Sequence, residues 1–174
     1  PLDLRFTTAL SECIQEADVI FIAVGTPSLP NGEANLAYVM SAADDIGQTL
    51  RPGHDVTIVV KSTVPVGVNE MLERKIRDLV KENGGNVDYL HFASNPEFLR
   101  EGTALFDTFY PDRFVIGTRD DVAFNMLHSL FEPIIAQKFE MPAFIEAPAK
   151  RPETQCLRTD QISAEMIKYA SNVF

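Results

Sequence analysis

Short apolar runs alternate with amphipathic stretches along this chain, and that alternation constrains its fold more than any other feature. Four runs rich in β-branched and aromatic residues predict strands, at residues 18–24, 56–60, 89–93 and 114–116. Because these runs are apolar at nearly every position, we expect the strands to pair in parallel and to be covered on both faces. The sequence therefore predicts an α/β fold with a doubly wound parallel sheet.

Apolar residues at helical spacing predict helices between and after these strands. In the first helix, Asn35 is the expected N-cap and Arg51-Pro52-Gly53 is the stop signal. Residues 132–159 contain four prolines and predict only a short strand and an irregular connection. The predicted helices cover residues 36–50, 70–83 and 120–131, and a last helix begins at Asp160.

Composition and charge exclude several classes of function. The 174 residues include 15 Lys and Arg against 25 Asp and Glu, and the cations are scattered, so nucleic acid is not an expected partner. No apolar run approaches the roughly 18 to 20 residues that span a bilayer, and the start has no signal-peptide pattern, so no membrane is expected either. Cys13 and Cys156 lack the spacing of a zinc site, which predicts no metal and reduced, cytoplasmic thiols.

Three of the predicted strands end in small, polar, turn-forming segments. Val24 runs into Gly25-Thr26-Pro27, Val60 into Lys61-Ser62-Thr63, and Ala93 into Ser94-Asn95-Pro96-Glu97. In an open parallel sheet the carboxyl ends share one edge, beside helix N-termini that attract anions, and ligands bind there. A single segment of this kind is typical of an ordinary loop. Three such segments on one edge predict a composite ligand site.

Two carboxylates follow the third strand. Asn95-Pro96 has the pattern of an N-cap followed by proline in the first turn of a helix, which places Glu97 in that turn and Glu101 one turn later. On such a helix the two carboxylates lie about 6 Å apart. The alternative is structural: Glu97 complements the positive end of the helix, and Glu101 pairs with a base such as Arg100 or Arg113.

The last predicted helix has two faces. Ile162, Met166, Tyr169 and Val173 form an apolar stripe, and the polar residues Glu165, Lys168 and Asn172 fall on the opposite face. Because Lys168 and Asn172 are four residues apart, their tips can converge on one group and stabilise a developing oxyanion. The alternative is that this polar face is simply solvated.

Five blocks of sequence, in their order and spacing, carry a family resemblance. The blocks are Val24–Pro27, Lys61–Gly67, Ser94–Gly102, Pro111–Arg113 and Ala164–Asn172. Together they resemble the UDP-glucose/GDP-mannose dehydrogenase family. The resemblance covers nearly the whole chain and is weakest at residues 136–159, where this sequence is longer than expected for a member.

The resemblance implies a Rossmann-like NAD-binding domain over residues 1–159 that lacks its first βαβ unit. Residues 160–174 are then the start of a central helix that leads to further domains. The Gly-rich turn that binds the adenosine half of NAD is expected ahead of Pro1, and the nucleophilic cysteine is expected beyond Phe174. The chain by itself is therefore expected to be inactive, with an exposed sheet edge and exposed apolar faces.

The activity implied is a four-electron oxidation of a nucleotide-sugar at C6, with two NAD, one water and a cysteine thioester. UDP-glucose, oxidised to UDP-glucuronate, is the preferred substrate, and UDP-N-acetylmannosamine, UDP-N-acetylglucosamine and GDP-mannose are the alternatives within the family. A homodimer or higher homo-oligomer built around the last helix is implied as well. A different class of function, a non-catalytic nucleotide-binding module, stays open because a fold does not fix a function.

Residue roles follow from the matching blocks. Thr26, Pro27, Ser62 and Thr63 are expected to line the NAD site, with Glu101 at the nicotinamide end, and Thr63 is also expected to hold a catalytic water. Glu97 is expected to help deprotonate water for thioester hydrolysis, and Lys168 with Asn172 to steady the C6 oxyanion. The nucleotide-sugar is expected to contact Glu97, Lys168, Asn172 and the run Phe98, Leu99, Arg100 and Glu101.

Overall fold

The computed structural model describes residues 4–140 and 153–173, and within them five strands form one sheet. The predicted strands are present, although the first is shorter than expected, and the short strand expected within residues 132–159 is found near the end of that segment. In sheet order the strands are β1 (Val19–Ile22), β2 (Val56–Val60), β3 (Leu90–Ser94), β4 (Arg113–Gly117) and β5 (Gln155–Thr159).

One pair of strands departs from the expected parallel arrangement. β1–β2, β2–β3 and β4–β5 are parallel, whereas β3 and β4 meet in antiparallel orientation at the single pair Ser94 and Gly117. The connection from β3 to β4 contains only the six-residue helix α3 (Ala104–Phe109). A helix of six residues rises about 9 Å, too little to carry the chain back along a strand. The chain therefore turns at the carboxyl end of β3 and runs the opposite way.

The remaining helices lie where apolar spacing predicts them: α1 (Ala37–Thr49), α2 (Val68–Glu82), α4 (Asp121–Ile135) and α5 (Gln161–Val173). α1 begins one residue later than Asn35 would cap it, because Leu36 is the N-cap, although the Asn35 Oδ1 still accepts from the Ala37 N–H at 3.0 Å. α4 continues four residues beyond its predicted end and contains Pro133.

Two apolar clusters hold helices against the sheet. The larger includes Val39, Ile46, Ile58, Leu72 and Ile76, which are all at most 4% exposed, and joins α1 and α2 to the sheet. The smaller joins α4 to the sheet through Val59, Ile116, Ala123 and Leu127. Because residues of β2 belong to both clusters, both faces of the central strand are covered, as its uniformly apolar sequence predicted.

A glycine sets the spacing of α1 and α2. A Cβ built on Gly47 would lie 2.6 Å from the Leu79 Cβ, closer than two carbon atoms can approach. The two helices therefore pack at a distance that only glycine permits at this position.

Among the residues described, no helix has the length and apolar character of a membrane span. In the same part of the chain, no group of three His, Cys, Asp or Glu side chains is placed to hold a metal ion.

Candidate functional site

Hydrogen bonds join the three segments that follow β1, β2 and β3. The Thr26 hydroxyl donates to the Thr63 carbonyl at 2.8 Å, and the Ser62 hydroxyl donates to the Val24 carbonyl at 2.7 Å. The Lys61 Nζ donates to the Asn95 Oδ1 at 3.1 Å. The prediction that three strand ends meet at one edge is therefore confirmed.

The segment after β3 is not the helix that Asn95-Pro96 predicted. Residues 95–100 are irregular, and α3 begins only at Ala104. The Asn95 side chain does not cap a helix, because its amide donates to the Val115 carbonyl at 2.9 Å and its oxygen accepts from Lys61. The expected spacing of Glu97 and Glu101 along one helix is therefore wrong, and so is the alternative that Glu97 complements a helix terminus.

Glu97 connects its own loop to α5. Its Oε2 accepts from the Leu99 N–H at 2.6 Å, and its Oε1 lies 3.1 Å from the Lys168 Nζ. The Lys168 side chain is only 7% exposed, whereas that of Glu97 is 31% exposed. A buried ammonium thus meets a carboxylate that ligands can still reach.

Glu101 does not join this pair. It is exposed, and the two bases proposed as its structural partners have other carboxylates. Arg100 pairs with Asp107 at 2.6 Å, and Arg113 pairs with Asp112 at 3.0 Å. The structural alternative for Glu101 is therefore wrong with respect to these two arginines.

Two residues of the polar face of α5 point inward, whereas the third, Asn172, is exposed. Glu165 is 3% exposed and Lys168 is 5% exposed, whereas Met166 and Tyr169 of the apolar stripe are 58% and 38% exposed. The alternative that Glu165 and Lys168 lie on a solvated face is therefore wrong.

Glu165 caps α2 from a position far along the chain. Its Oε2 accepts from the Gly67 N–H at 2.6 Å, and its Oε1 accepts from the backbone and side-chain N–H groups of Asn69 at 2.8 and 2.6 Å. Gly67, the N-cap residue, has φ 91° and no side chain with which to cap the helix. The carboxylate of α5 satisfies donors that the first turn of α2 would otherwise leave unpaired.

Several of these side chains open onto one cleft of about 460 Å³ at the carboxyl edge of β2 and β3. The cleft brings together six residues expected at the site and leaves out five others. Those that line it are Glu97, Phe98, Leu99, Arg100, Lys168 and Asn172. Thr26, Pro27, Ser62, Thr63 and Glu101 do not line it.

Phe98 lies near two cations of the cleft. The Lys168 Nζ is 5.6 Å from the ring centroid of Phe98, and the guanidinium carbon of Arg113 is 5.2 Å from the same centroid. Both distances are within the range of a cation–π interaction. The ring therefore helps to hold both cations at the wall of the cleft.

Lys61 and Asp107 are two charged residues of the cleft that were not predicted as site residues. Lys61 directly follows β2, a strand in which every residue is buried. A lysine at the end of such a strand is the sequence signal that could have identified it as a site residue. Burial lowers the pKa of Lys61, and the charge of Lys168 lowers it further, while that of Glu97 raises it. Asp107 interrupts an otherwise mainly apolar helix α3 and is 8% exposed.

Asp107 anchors the loop that carries Phe98 and Arg100. It accepts from the backbone N–H of Arg100 at 2.9 Å, from the Arg100 guanidinium and from the Thr103 hydroxyl at 3.1 Å. The hydrogen bond from Arg100 lowers the pKa of Asp107 to about 2, against the opposing effect of burial. The carboxylate is therefore ionised at any pH at which the protein is expected to work.

The depressed pKa of Asp107 predicts a loss of stability in acid. Because the pKa is about 2 in the folded state and about 3.9 in the unfolded state, the contribution is complete above about pH 4 and is lost as pH falls to about 2. We expect Asp107→Asn to lower the free energy of unfolding by about 2 kcal/mol at pH 6. Urea unfolding at pH 6, 4 and 2 should show this difference shrink toward zero, and a difference that stays constant would contradict the assignment.

Comparison with known proteins is consistent with this geometry. The sequence profile of the UDP-glucose/GDP-mannose dehydrogenase family, NAD binding domain, matches residues 2–135. UDP-glucose 6-dehydrogenase YwqF of Bacillus subtilis is 43% identical over 171 residues, which are 98% of this chain and 33% of that protein. The chain spans about a third of the length of the curated relatives that it matches.

Two solved structures have the same fold. A UDP-glucose dehydrogenase from Pyrobaculum islandicum is 38% identical, with a TM-score of 0.74 over 97% of this chain and 34% of that protein. A GDP-mannose dehydrogenase from Pseudomonas aeruginosa, solved as a ternary complex, is 32% identical, with a TM-score of 0.78 over 96% of this chain and 34% of that protein.

Proposed function

Since the chain belongs to the UDP-glucose/GDP-mannose dehydrogenase family, we propose that the whole protein is an NAD-dependent nucleotide-sugar 6-dehydrogenase that acts on UDP-glucose. Two hydride transfers and the addition of one water convert the C6 alcohol into the carboxylate of UDP-glucuronate, with two NADH and protons as the other products. The pair formed by Lys168 and Glu97, 3.1 Å apart at the wall of the cleft, is the observation that carries this proposal.

We assign the stabilisation of negative charge at the C6 oxygen to Lys168, with Asn172 as a second donor. Lys168 is already held by Glu97 and by the Phe98 ring, so little reorganisation accompanies the appearance of charge. In the hydrolytic step Glu97 accepts the proton of the attacking water, and Thr63 helps to hold that water. Neither Thr63 nor its neighbour Ser62 lines the cleft, so their roles depend on a ligand that extends along the sheet edge.

The loop of Phe98, Leu99 and Arg100 is proposed to contact the nucleotide-sugar. Two of its backbone donors are already used, because the Leu99 N–H donates to Glu97 and the Arg100 N–H donates to Asp107. Contact through this loop therefore involves its side chains and its remaining backbone groups. These two hydrogen bonds also keep the loop rigid when a ligand enters.

NAD supplies the hydride acceptor, and the exposed backbone at Gly25 is accessible to it. A Cβ built on Gly25 would meet nothing within 4 Å, so a planar ring can approach the backbone there. We assign Thr26, Pro27, Ser62 and Thr63 to the nicotinamide half of this cofactor, with Glu101 at its end.

The thioester in this proposal requires a cysteine from outside the residues described. Cys13 is exposed and Cys156 is partly buried on β5, and neither lines the cleft. Burial raises the pKa of the Cys156 thiol, which disfavours the nucleophilic thiolate. Both thiols are free and fit a reducing, cytoplasmic environment.

We also propose that the whole protein is a homo-oligomer in which α5 lies at the interface. Met166 and Tyr169 expose a large part of their apolar surface on this helix. Apolar side chains arranged in a stripe on one helix are typical of a buried helix face.

The stoichiometry of NADH formation tests the proposed function. We expect two NADH for each UDP-glucose consumed by the whole protein, and none from the isolated 174-residue chain as the control. A panel of UDP-N-acetylmannosamine, UDP-N-acetylglucosamine and GDP-mannose identifies another sugar substrate if UDP-glucose fails. Nucleotide-sugar binding without NADH from any of them would favour a non-catalytic nucleotide-binding module.

A further inference from the structure

The charged side chains that line the cleft form three ion pairs, and one lining cation has no ion-pair partner among the lining carboxylates. Four cations and three carboxylates line it, so the cleft carries one net positive charge in a chain whose formal net charge is −10. The pairs are Lys168 with Glu97 at 3.1 Å, Arg100 with Asp107 at 2.6 Å and Arg113 with Asp112 at 3.0 Å. The cation left over is Lys61.

Lys61 is held in place by neutral groups. Its Nζ donates to the Asn95 Oδ1 at 3.1 Å and lies 5.9 Å from the ring centroid of Phe131. Asn95 is fully buried and its amide donates to the Val115 carbonyl, so its oxygen is held toward the lysine. An ammonium group has three N–H donors, and Asn95 accepts from only one of them.

Such an environment disfavours the charged form of a lysine. Burial lowers the pKa of Lys61, and Lys168 adds to this effect, whereas Glu97 opposes it from beyond ion-pair distance. No carboxylate in the described part of the chain forms an ion pair with Lys61. A partly buried ammonium without a counterion bears part of the desolvation cost of a buried charge, and an anionic group of a ligand in the cleft would offset that cost.

We propose that Lys61 is a further ligand-binding residue of the cleft, and that its ammonium group binds the negatively charged oxygen formed when the C6 alcohol is oxidised to a carboxylate. This inference rests on the proposed function. Glu97 already balances the charge of Lys168, so the pair is close to neutral as a unit. Lys61 supplies the single positive charge that a carboxylate product requires and that an alcohol substrate does not.

Equilibrium binding to the whole protein tests the inference without a chemical step. UDP-glucose and UDP-glucuronate are titrated separately, by calorimetry at pH 7.5, into wild type, Lys61→Met and Lys61→Arg. We expect Lys61→Met to weaken the binding of UDP-glucuronate about 30-fold and that of UDP-glucose less than threefold. Lys61→Arg keeps the charge and should restore most of the affinity for UDP-glucuronate. Lys81→Met, at an exposed lysine in the last turn of α2, is the matched control.

The ratio of the two affinities decides the outcome. If Lys61→Met weakens the binding of UDP-glucose and of UDP-glucuronate equally, the lysine has a structural role only. The inference also requires Lys61→Arg to keep the wild-type ratio of the two affinities. The inference is overturned if the ratio of the two affinities is unchanged in Lys61→Met. It is also overturned if this ratio in Lys61→Arg differs from that of the wild type. A wild-type protein that forms NADH from no nucleotide-sugar would instead contradict the proposed function.

Discussion

Replacing Lys168 with alanine is expected to lower kcat of the whole protein on UDP-glucose by about 10²–10³-fold. The ammonium group of this residue is buried, and it is held beside Glu97 and the Phe98 ring before any ligand arrives. A donor held in this way stabilises charge that develops in the transition state more than it stabilises the neutral alcohol. We therefore expect KM for UDP-glucose to change much less than kcat.

Initial rates of NADH formation measure this effect, and Lys138→Ala is the control. The side chain of Lys138 is 75% exposed and pairs only loosely with Glu132, at 3.7 Å, so its removal should leave kcat unchanged. Glu97→Gln, which removes the carboxylate and keeps its shape, should slow the hydrolytic half of the reaction. A Lys168→Ala protein that turns over within threefold of wild type would remove Lys168 from the mechanism.

Replacing Glu165 with alanine is expected to lower the free energy of unfolding by about 3 kcal/mol. The carboxylate accepts three hydrogen bonds at the start of α2, and its loss leaves the buried N–H of Asn69 and the partly buried N–H of Gly67 without this acceptor. Because Glu165 also joins α5 to α2, and because Lys168 is one turn further along α5, we expect kcat to fall in the same variant.

Chemical denaturation of the wild type and of two variants isolates the capping effect. Glu70→Ala is the matched control, because Glu70 is an exposed carboxylate in the first turn of the same helix. The interaction of Glu70 with the helix dipole is worth about 0.3–1 kcal/mol. Equal destabilisation by the two substitutions would show that Glu165 acts through its charge and not as a cap.

The strands and most of the helices could be predicted from the sequence because their signals are local. The uniformly apolar run of β2 and the helical spacing of Leu72, Ile76 and Val80 depend only on neighbouring residues. The antiparallel pairing of β3 and β4 could not be predicted in this way. It depends on whether α3 is long enough to carry the chain back across the sheet, and α3 has only six residues.

The candidate site was predicted in part for the same reason. Parallel strands bring their carboxyl ends to one edge, so the meeting of the segments after β1, β2 and β3 followed from topology. The helix predicted at Asn95-Pro96 was wrong because Lys61 and the Val115 carbonyl bind the asparagine side chain instead. Both partners are distant in sequence, and no local pattern reveals them.

The sequence by itself determined the alternation of strands and helices, the shared edge where strand ends meet, and the family of the chain, because each of these is encoded in local order and spacing. Only the tertiary structure decided which face of α5 points inward. Glu165 and Lys168 are buried because their partners, Asn69 and Glu97, lie 96 and 71 residues earlier in the chain. A polar side chain can be buried when a distant group satisfies its hydrogen bonds and charge, and that group is brought near only by the complete fold.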